Sequence, residues 1–287
     1  MHKILSTRIT LAACLFLAAC ASGPEKRTNN DQGPVSARAR NALASANPQG
    51  LVTVAEGFER TGNLEGAYNL YSQAIAAAPE LLSAKLGLAR IYAKINEADR
   101  ATVILESLKG NHGSDPEYIL TSVEVLTLLA NYGQAEIALD PLSSQANATA
   151  PILNMAGRLS QINGRPKRAR DYFDRALGIQ PGNSAVLRNL AVSFAIDGQY
   201  ESAVALLQRA MDSPVGATDA KRALAYIYAL SGQLKAANVI AASVVPQDEI
   251  QELSHIFRLL PQFTPAEQAS VLMFDRVPVD ALRRTTK

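Results

Sequence analysis

The chain has no tryptophan, and phenylalanine and tyrosine make it only 6% aromatic. Sheets lean on aromatic and β-branched side chains, so this scarcity weighs against them and favours close-packed helices rich in alanine. Cysteine is nearly missing as well. Its two copies, Cys14 and Cys20, lie in the first twenty residues, so the rest of the chain has no thiol for a disulfide or a metal. Of the three histidines, His2 sits in the leader described below. His112 and His255 have no Cys or acidic partner at ligand spacing, so no metal site is expected. No Gly-x-Ser-x-Gly elbow and no phosphate-cradling glycine loop occurs, which removes the usual footing for an enzyme or a cofactor. Excess charge is lacking too. Once Lys3 and Arg8 leave with the leader, 26 basic residues face 26 acidic ones, a balance that excludes nucleic acid as a natural partner.

What is present is hydrophobic content of 48%, enough for a folded core, and a repeat. Leu153–Pro181 reads as a helix–turn–helix unit. Leu153, Ala156, Gly157 and Ser160 precede a Gly164-Arg165-Pro166 turn, and Ala169, Phe173 and Ala176 follow, with Pro181 closing the second helix. Two antiparallel helices approach closely only where small side chains face each other, and large ones fill the gap to the next pair. The pattern recurs as Leu187, Ala191, Phe194, Gly198, Ala203 and Leu207, and earlier as Leu51, Val54, Ala55, Phe58, Gly62, Ala67 and Tyr71. It resembles the tetratricopeptide (TPR) repeat, with its period of about 34 residues.

Six units follow: 48–81, 82–115, 119–149, 150–183, 184–217 and 218–251. The expected fold is therefore all-α, a TPR α-solenoid with a C-terminal capping helix. In the second unit Asn96 takes the place of the turn glycine. In the third, Gly133 and Ala138 fit if the unit starts at Ile119, leaving Asp115-Pro116-Glu117 as a connection. Pro141 is expected to kink or break that unit's second helix at Asp140. The sixth unit is degenerate, as terminal repeats are. Residues 252–287 supply capping helices and a tail. Ile250, Leu253, Ile256, Phe257 and Leu260 share one helix face, and Thr264-Pro265-Ala266-Glu267 is a capping box opening a helix through about Phe274. Arg283–Lys287 reads as a frayed end.

Residues 1–19 have the form of a signal peptide, with basic residues before an apolar run Ile9–Ala19 too short to span a bilayer. The run ends in Leu17-Ala18-Ala19-Cys20, which resembles the lipobox of bacterial lipoproteins. Leu11-Ala12-Ala13-Cys14 spells the same box, but a cut there leaves too short an apolar core, so Cys20 is the expected lipidation site. The resemblance implies a diacylglycerol modification on Cys20 and no other cofactor. Ala21, rather than Asp, after that cysteine implies the periplasmic face of the outer membrane. Residues 20–47 read as a flexible linker with Gly-Pro breakers, within which Val35–Ala46 could form a short helix.

In TPR solenoids, first-helix positions 2, 5, 9 and 12 line the concave surface. Here that resemblance implies a peptide-binding groove at Arg90, Asn154, Arg158, Arg188, Arg222 and Tyr226, with Glu56, Glu59, Gln161 and Asp219 in neighbouring slots. A row of guanidinium groups suits a partner bearing carboxylates. Ile179–Met211 and Ala223–Val239, with the Val245-Pro246-Gln247-Asp248 break, further resemble the TadD lipoproteins of tight-adherence (Flp) pilus systems. That resemblance implies a pilus assembly factor, or a pilotin for a secretin ring, acting by protein binding. The alternative is a TPR adaptor lipoprotein of the NlpI type that regulates cell-wall hydrolases or proteases. Membrane insertion in the manner of BamD fits the regular spacing less well.

Overall fold

The computed structural model describes residues 47–214 and 216–285. The leader, Cys20, nearly all of the linker and the Val35–Ala46 helix lie outside these residues. Those described form fifteen α-helices and one 3-10 helix, with no strand among them. Twelve helices make six antiparallel pairs. They are α1 (Pro48–Arg60) with α2 (Leu64–Ala77), α3 (Leu82–Lys94) with α4 (Ala98–His112), and α5 (Pro116–Leu128) with α6 (Tyr132–Ser143). Then come α7 (Ala150–Ile162) with α8 (Pro166–Ile179), α9 (Ser184–Ile196) with α10 (Tyr200–Met211), and α11 (Ala217–Leu230) with α12 (Leu234–Ala241).

Small residues let these pairs close. Phe173 is fully buried against Gly157, where any Cβ would collide with its ring, and Tyr71 occupies the space a side chain at Gly87 would need. Asn47, Asn63 and Asn131 start α1, α2 and α6 by accepting a hydrogen bond from a backbone N–H three residues on. The first helices of successive pairs also touch each other, α1 with α3, α3 with α5, α7 with α9 and α9 with α11. They form the inner layer of the stack and so its concave face. Val54 and Phe58, by contrast, are 51% and 38% exposed. No described helix precedes α1 to cover them.

The turns correct one expectation. Left-handed backbone occurs at Gly62, Asn96, Ala130, Gly164, Gly198 and Gly232, each 34 residues after the last, with φ from 57° to 79°. The third unit thus keeps phase and opens at Pro116, with Asp115 as its helix cap and not a connection. Its turn residue is Ala130, which the phase imposes despite the steric cost of a Cβ in this region. Gly133, which suggested a later start, lies inside α6 with open space around it. Nor does Pro141 break α6. It stands near the helix end, where little ladder remains to be lost, and the Ser144 hydroxyl and Gln145 amide donate to the carbonyls of Asp140 and Pro141.

After α12 come α13 (Ile250–Leu259), a 3-10 turn (Leu260–Gln262), α14 (Pro265–Phe274) and α15 (Val279–Thr285). The Thr264 capping box forms in full. Arg283 and Arg284 are helical, not frayed, and Arg284 clamps Glu267 at 2.6 Å. While α13 packs on α12 and closes the end of the stack, α14 turns back into the concavity against α7 and α9. Arg276 then donates to the Leu128 carbonyl at 2.8 Å, across 148 residues of sequence.

Two substitutions separate the two phasings. Ala130→Gly should raise stability by about 1 kcal/mol, read as a higher Tm, because it removes left-handed strain. Gly133→Ala should also stabilise, by roughly 0.5–1 kcal/mol, since the site is an exposed helical position. A loss of stability in the second variant would restore Gly133 as the turn.

Candidate functional site

The concave face divides into two parts with different chemistry. Toward the N-terminal side, α1, α3 and α5 leave it open. Glu59, though charged, is buried, and accepts from Lys94 at 2.7 Å, Tyr71 at 2.9 Å and Arg90 at 3.1 Å. Burial alone would raise its carboxyl, but these bonds and the Arg90 charge outweigh that and hold it below the usual range. Arg90 is raised in return: burial opposes its charge, and Glu59 more than offsets this. Burial, with Glu59 alongside, also pushes the Tyr71 phenol up. Arg90 is therefore committed inside the chain, with its Nε 3.9 Å from Glu124 on α5.

Glu124 was hidden from the sequence by the slipped start at Ile119. Counting 34 residues from Arg90 would have found it. Its side chain is about half exposed at 48%, and desolvation in the concavity, with Glu59 nearby, pushes its carboxyl up. One turn earlier, Leu120 is 45% exposed. Glu56, Leu120 and Glu124 thus give the open half an apolar and acidic surface, where the sequence pattern pointed to arginine.

The other half is filled by the chain itself. The Arg158 guanidinium donates to the Met273 carbonyl and lies over the Phe274 ring at 4.3 Å. Burial and the neighbouring Arg188 charge lower its pKa to about 10. Phe274 also packs on Tyr132, with ring centroids 4.8 Å apart. Leu260, Phe263, Val271, Leu272 and Met273 are all buried here. At roughly 1.5–3 kcal/mol per large apolar side chain, the three on α14 (Val271, Leu272 and Met273) contribute on the order of 5 kcal/mol. A partner would have to overcome that to displace α14, so α14 is a fixed wall.

Of the remaining predicted residues, Asn154 accepts from Asn189 at 2.9 Å and Gln161 from Ser193 at 2.7 Å, both between first helices. Arg188 stands 4.0 Å from Asp219. Arg222 and Tyr226, one turn apart on α11, face a cavity of about 230 Å³ against α13 and Asp275. Burial and the Asp275 carboxylate push the Tyr226 phenol up to about 12. The structure thus brings Arg222 and Tyr226 to one cavity and leaves Arg90 in a separate network. Asp275, Glu249 and Glu252, also on that cavity, carried no sequence signal, because Glu249 sits in the degenerate end of the sixth unit and the other two lie beyond it. Among the described residues no group of three His, Cys, Asp or Glu side chains could hold a metal ion.

Residues 60–121 and 150–183 match the tetratricopeptide repeat family. No curated protein matches the chain. Among solved structures, a tetratricopeptide repeat protein from Parabacteroides merdae is similar at a TM-score of 0.62 and 15% identity, covering 84% of this chain and 100% of that one. PilF of Pseudomonas aeruginosa is similar at 0.56 and 16%, covering 75% and 99%. The Cut9–Hcn1 assembly of the APC/C is similar at 0.55 and 15%, covering 76% and 46%. At such identities the likeness concerns the fold. The chain is an α-solenoid that carries tetratricopeptide repeats.

Two outcomes follow from the site. Glu59→Gln should cost about 3–5 kcal/mol by leaving Arg90 and Lys94 without their buried partner. Because the folded-state pKa of Glu59 is lowered, its contribution is complete above the ordinary carboxylate range and disappears as pH falls through the lowered value. The variant should therefore show a shallower acid loss of stability in denaturant titrations from pH 6 downward. Met273→Ala should cost about 2–5 kcal/mol in the same assay. A near-neutral result would mean that α14 is loosely seated.

Proposed function

We propose that this protein is a lipid-anchored scaffold on the periplasmic face of the outer membrane that binds another protein through the open half of its concave surface. Tetratricopeptide repeats supply the binding scaffold, and the carrying observation is the exposed Glu56–Leu120–Glu124 surface beside the Arg90 network. An apolar anchor ringed by charge is a favourable docking chemistry for a polypeptide segment. The anchor rests on the Leu17-Ala18-Ala19-Cys20 box, and confinement near the membrane would raise the effective concentration of the scaffold for partners held there.

Within that role, the resemblance of Ile179–Met211 to TadD lipoproteins favours pilus assembly, with a secretin or another assembly component as partner. The test is a crosslinked pull-down of the tagged protein from detergent-solubilised outer membrane, read by mass spectrometry, beside a Leu120→Glu/Glu124→Lys variant. Enrichment of a secretin or pilus subunit that the variant loses is the expected result. Hydrolases or proteases in its place would move the assignment to the adaptor reading. Undiminished capture by the variant would place binding elsewhere on the chain.

A further inference from the structure

The cavity between α11, α13 and the end of α14 has a charge arrangement that the fold does not use. Arg222 and Tyr226 line it from α11, Glu249 and Glu252 from the start of α13, and Asp275 from the end of α14. Leu253, Ile256 and Val245 make the rest of the lining apolar. Opposite charges around so small a space would ordinarily close on each other. Here Arg222 makes no ion pair within 4 Å among the described residues, and its Nε is buried with no acceptor. The Nε atoms of Arg158 and Arg188, in the two preceding repeats, are buried without acceptors too. A donor nitrogen buried without an acceptor is costly, and Arg222, unlike Arg158 on the Met273 carbonyl and Arg188 beside Asp219, has no other partner among the described residues.

The carboxylates likewise make no ion pair within 4 Å among the described residues. Glu249 stands at the start of α13 but its side chain makes no capping bond. Asp275 ends α14 in left-handed backbone, at φ 51°, which Asp adopts more readily than most residues, and it lines the cavity. Glu252 in the first turn of α13 gains something from the helix dipole, yet has no ion-pair partner within 4 Å among the described residues. A simple anion would meet three carboxylates, and a simple cation would meet Arg222. What satisfies both signs of charge is one group that bears a carboxylate and a cation on an aliphatic stem.

We propose that this cavity binds the C-terminal residue of a polypeptide ending in Arg or Lys, with the free carboxylate on Arg222 and the Tyr226 hydroxyl and the basic side chain toward Glu249, Glu252 and Asp275. The methylene stem crosses Leu253 and Ile256, as such stems do on apolar surfaces. The carboxylate accepts from the guanidinium, which has the planar donor fork that geometry needs. The Tyr226 hydroxyl stays protonated through neutral pH and can donate beside it. This reading rests on the scaffold function only in taking a polypeptide as the source, and it concerns a different part of the concave face from Glu124.

The experiment is calorimetric titration of the whole protein with an N-acetylated tetrapeptide ending in arginine, its C-terminal amide, and free arginine. The free-acid peptide should bind, and the amide should bind at least about tenfold more weakly, as should the Arg222→Met and Glu252→Gln variants. Free arginine binding as tightly as the peptide would support the same chemistry with an amino acid as its source. Equal affinity for acid and amide, or no heat with the peptide up to about 10 mM, would overturn the proposal. So would binding of phosphoethanolamine in preference to the peptide, which would make the site one for a lipid headgroup. Should Arg222→Met fail to fold, the acid–amide comparison on the unaltered protein still decides. The pull-down described above would be unaffected by failure here, because it reads the Leu120–Glu124 surface.

Discussion

Close approach between neighbouring helices is the constraint from which the rest follows. Gly157 against Phe173 and Gly87 against Tyr71 bring backbones near enough for one large ring to fill the space between helices. Each such contact fixes a pair, and each pair must then reverse direction in a three-residue turn whose central backbone is left-handed. That geometry recurs every 34 residues, so the spacing is conserved along the chain even where the residue is a poor fit. Ala130 shows which effect dominates. A cost of about 1–2 kcal/mol for one left-handed alanine is smaller than the packing that a phase slip would lose in two adjoining repeats.

The fold was therefore legible, because small-large alternation and turn glycines are local signals repeated many times over. The same reliance on glycine produced the one slip in register. Gly133 looks like a turn residue, whereas Ala130 does not, and only the arithmetic of spacing distinguishes them. With the phase restored, Glu124 falls into line with Arg90, and the open half of the groove becomes acidic and apolar.

The candidate site was less legible, for a reason that no repeat pattern contains. Thr264–Phe274 announces a helix through its capping box, but nothing in those residues says where the helix packs. Its destination depends on the shape of the concavity and on contacts such as Arg276 with Leu128, which are remote in sequence. Arg158 meets the end of α14, which lies against α7 and α9. Its partner, the Met273–Phe274 segment, was invisible until the chain was folded. Charge at a groove position thus records which way a side chain faces and leaves open whether the chain itself answers it.

The returning segment has a mechanical meaning as well. A solenoid is ordinarily a spring, since each repeat touches only its neighbours and the whole can flex by small rotations. Here Phe274 and Arg276 reach α6 and α5 while α14 lies on α7 and α9, so one element is fastened to the third, fourth and fifth repeats at once. Those repeats are braced like the members of a truss. The first repeat has no such brace, and its core, from Val52 to Ile91, is separate from the large one that continues to Ala281. The brace thus makes a truss of the middle repeats, while the first repeat is held to the second by its own small core and the Glu59 ion pairs.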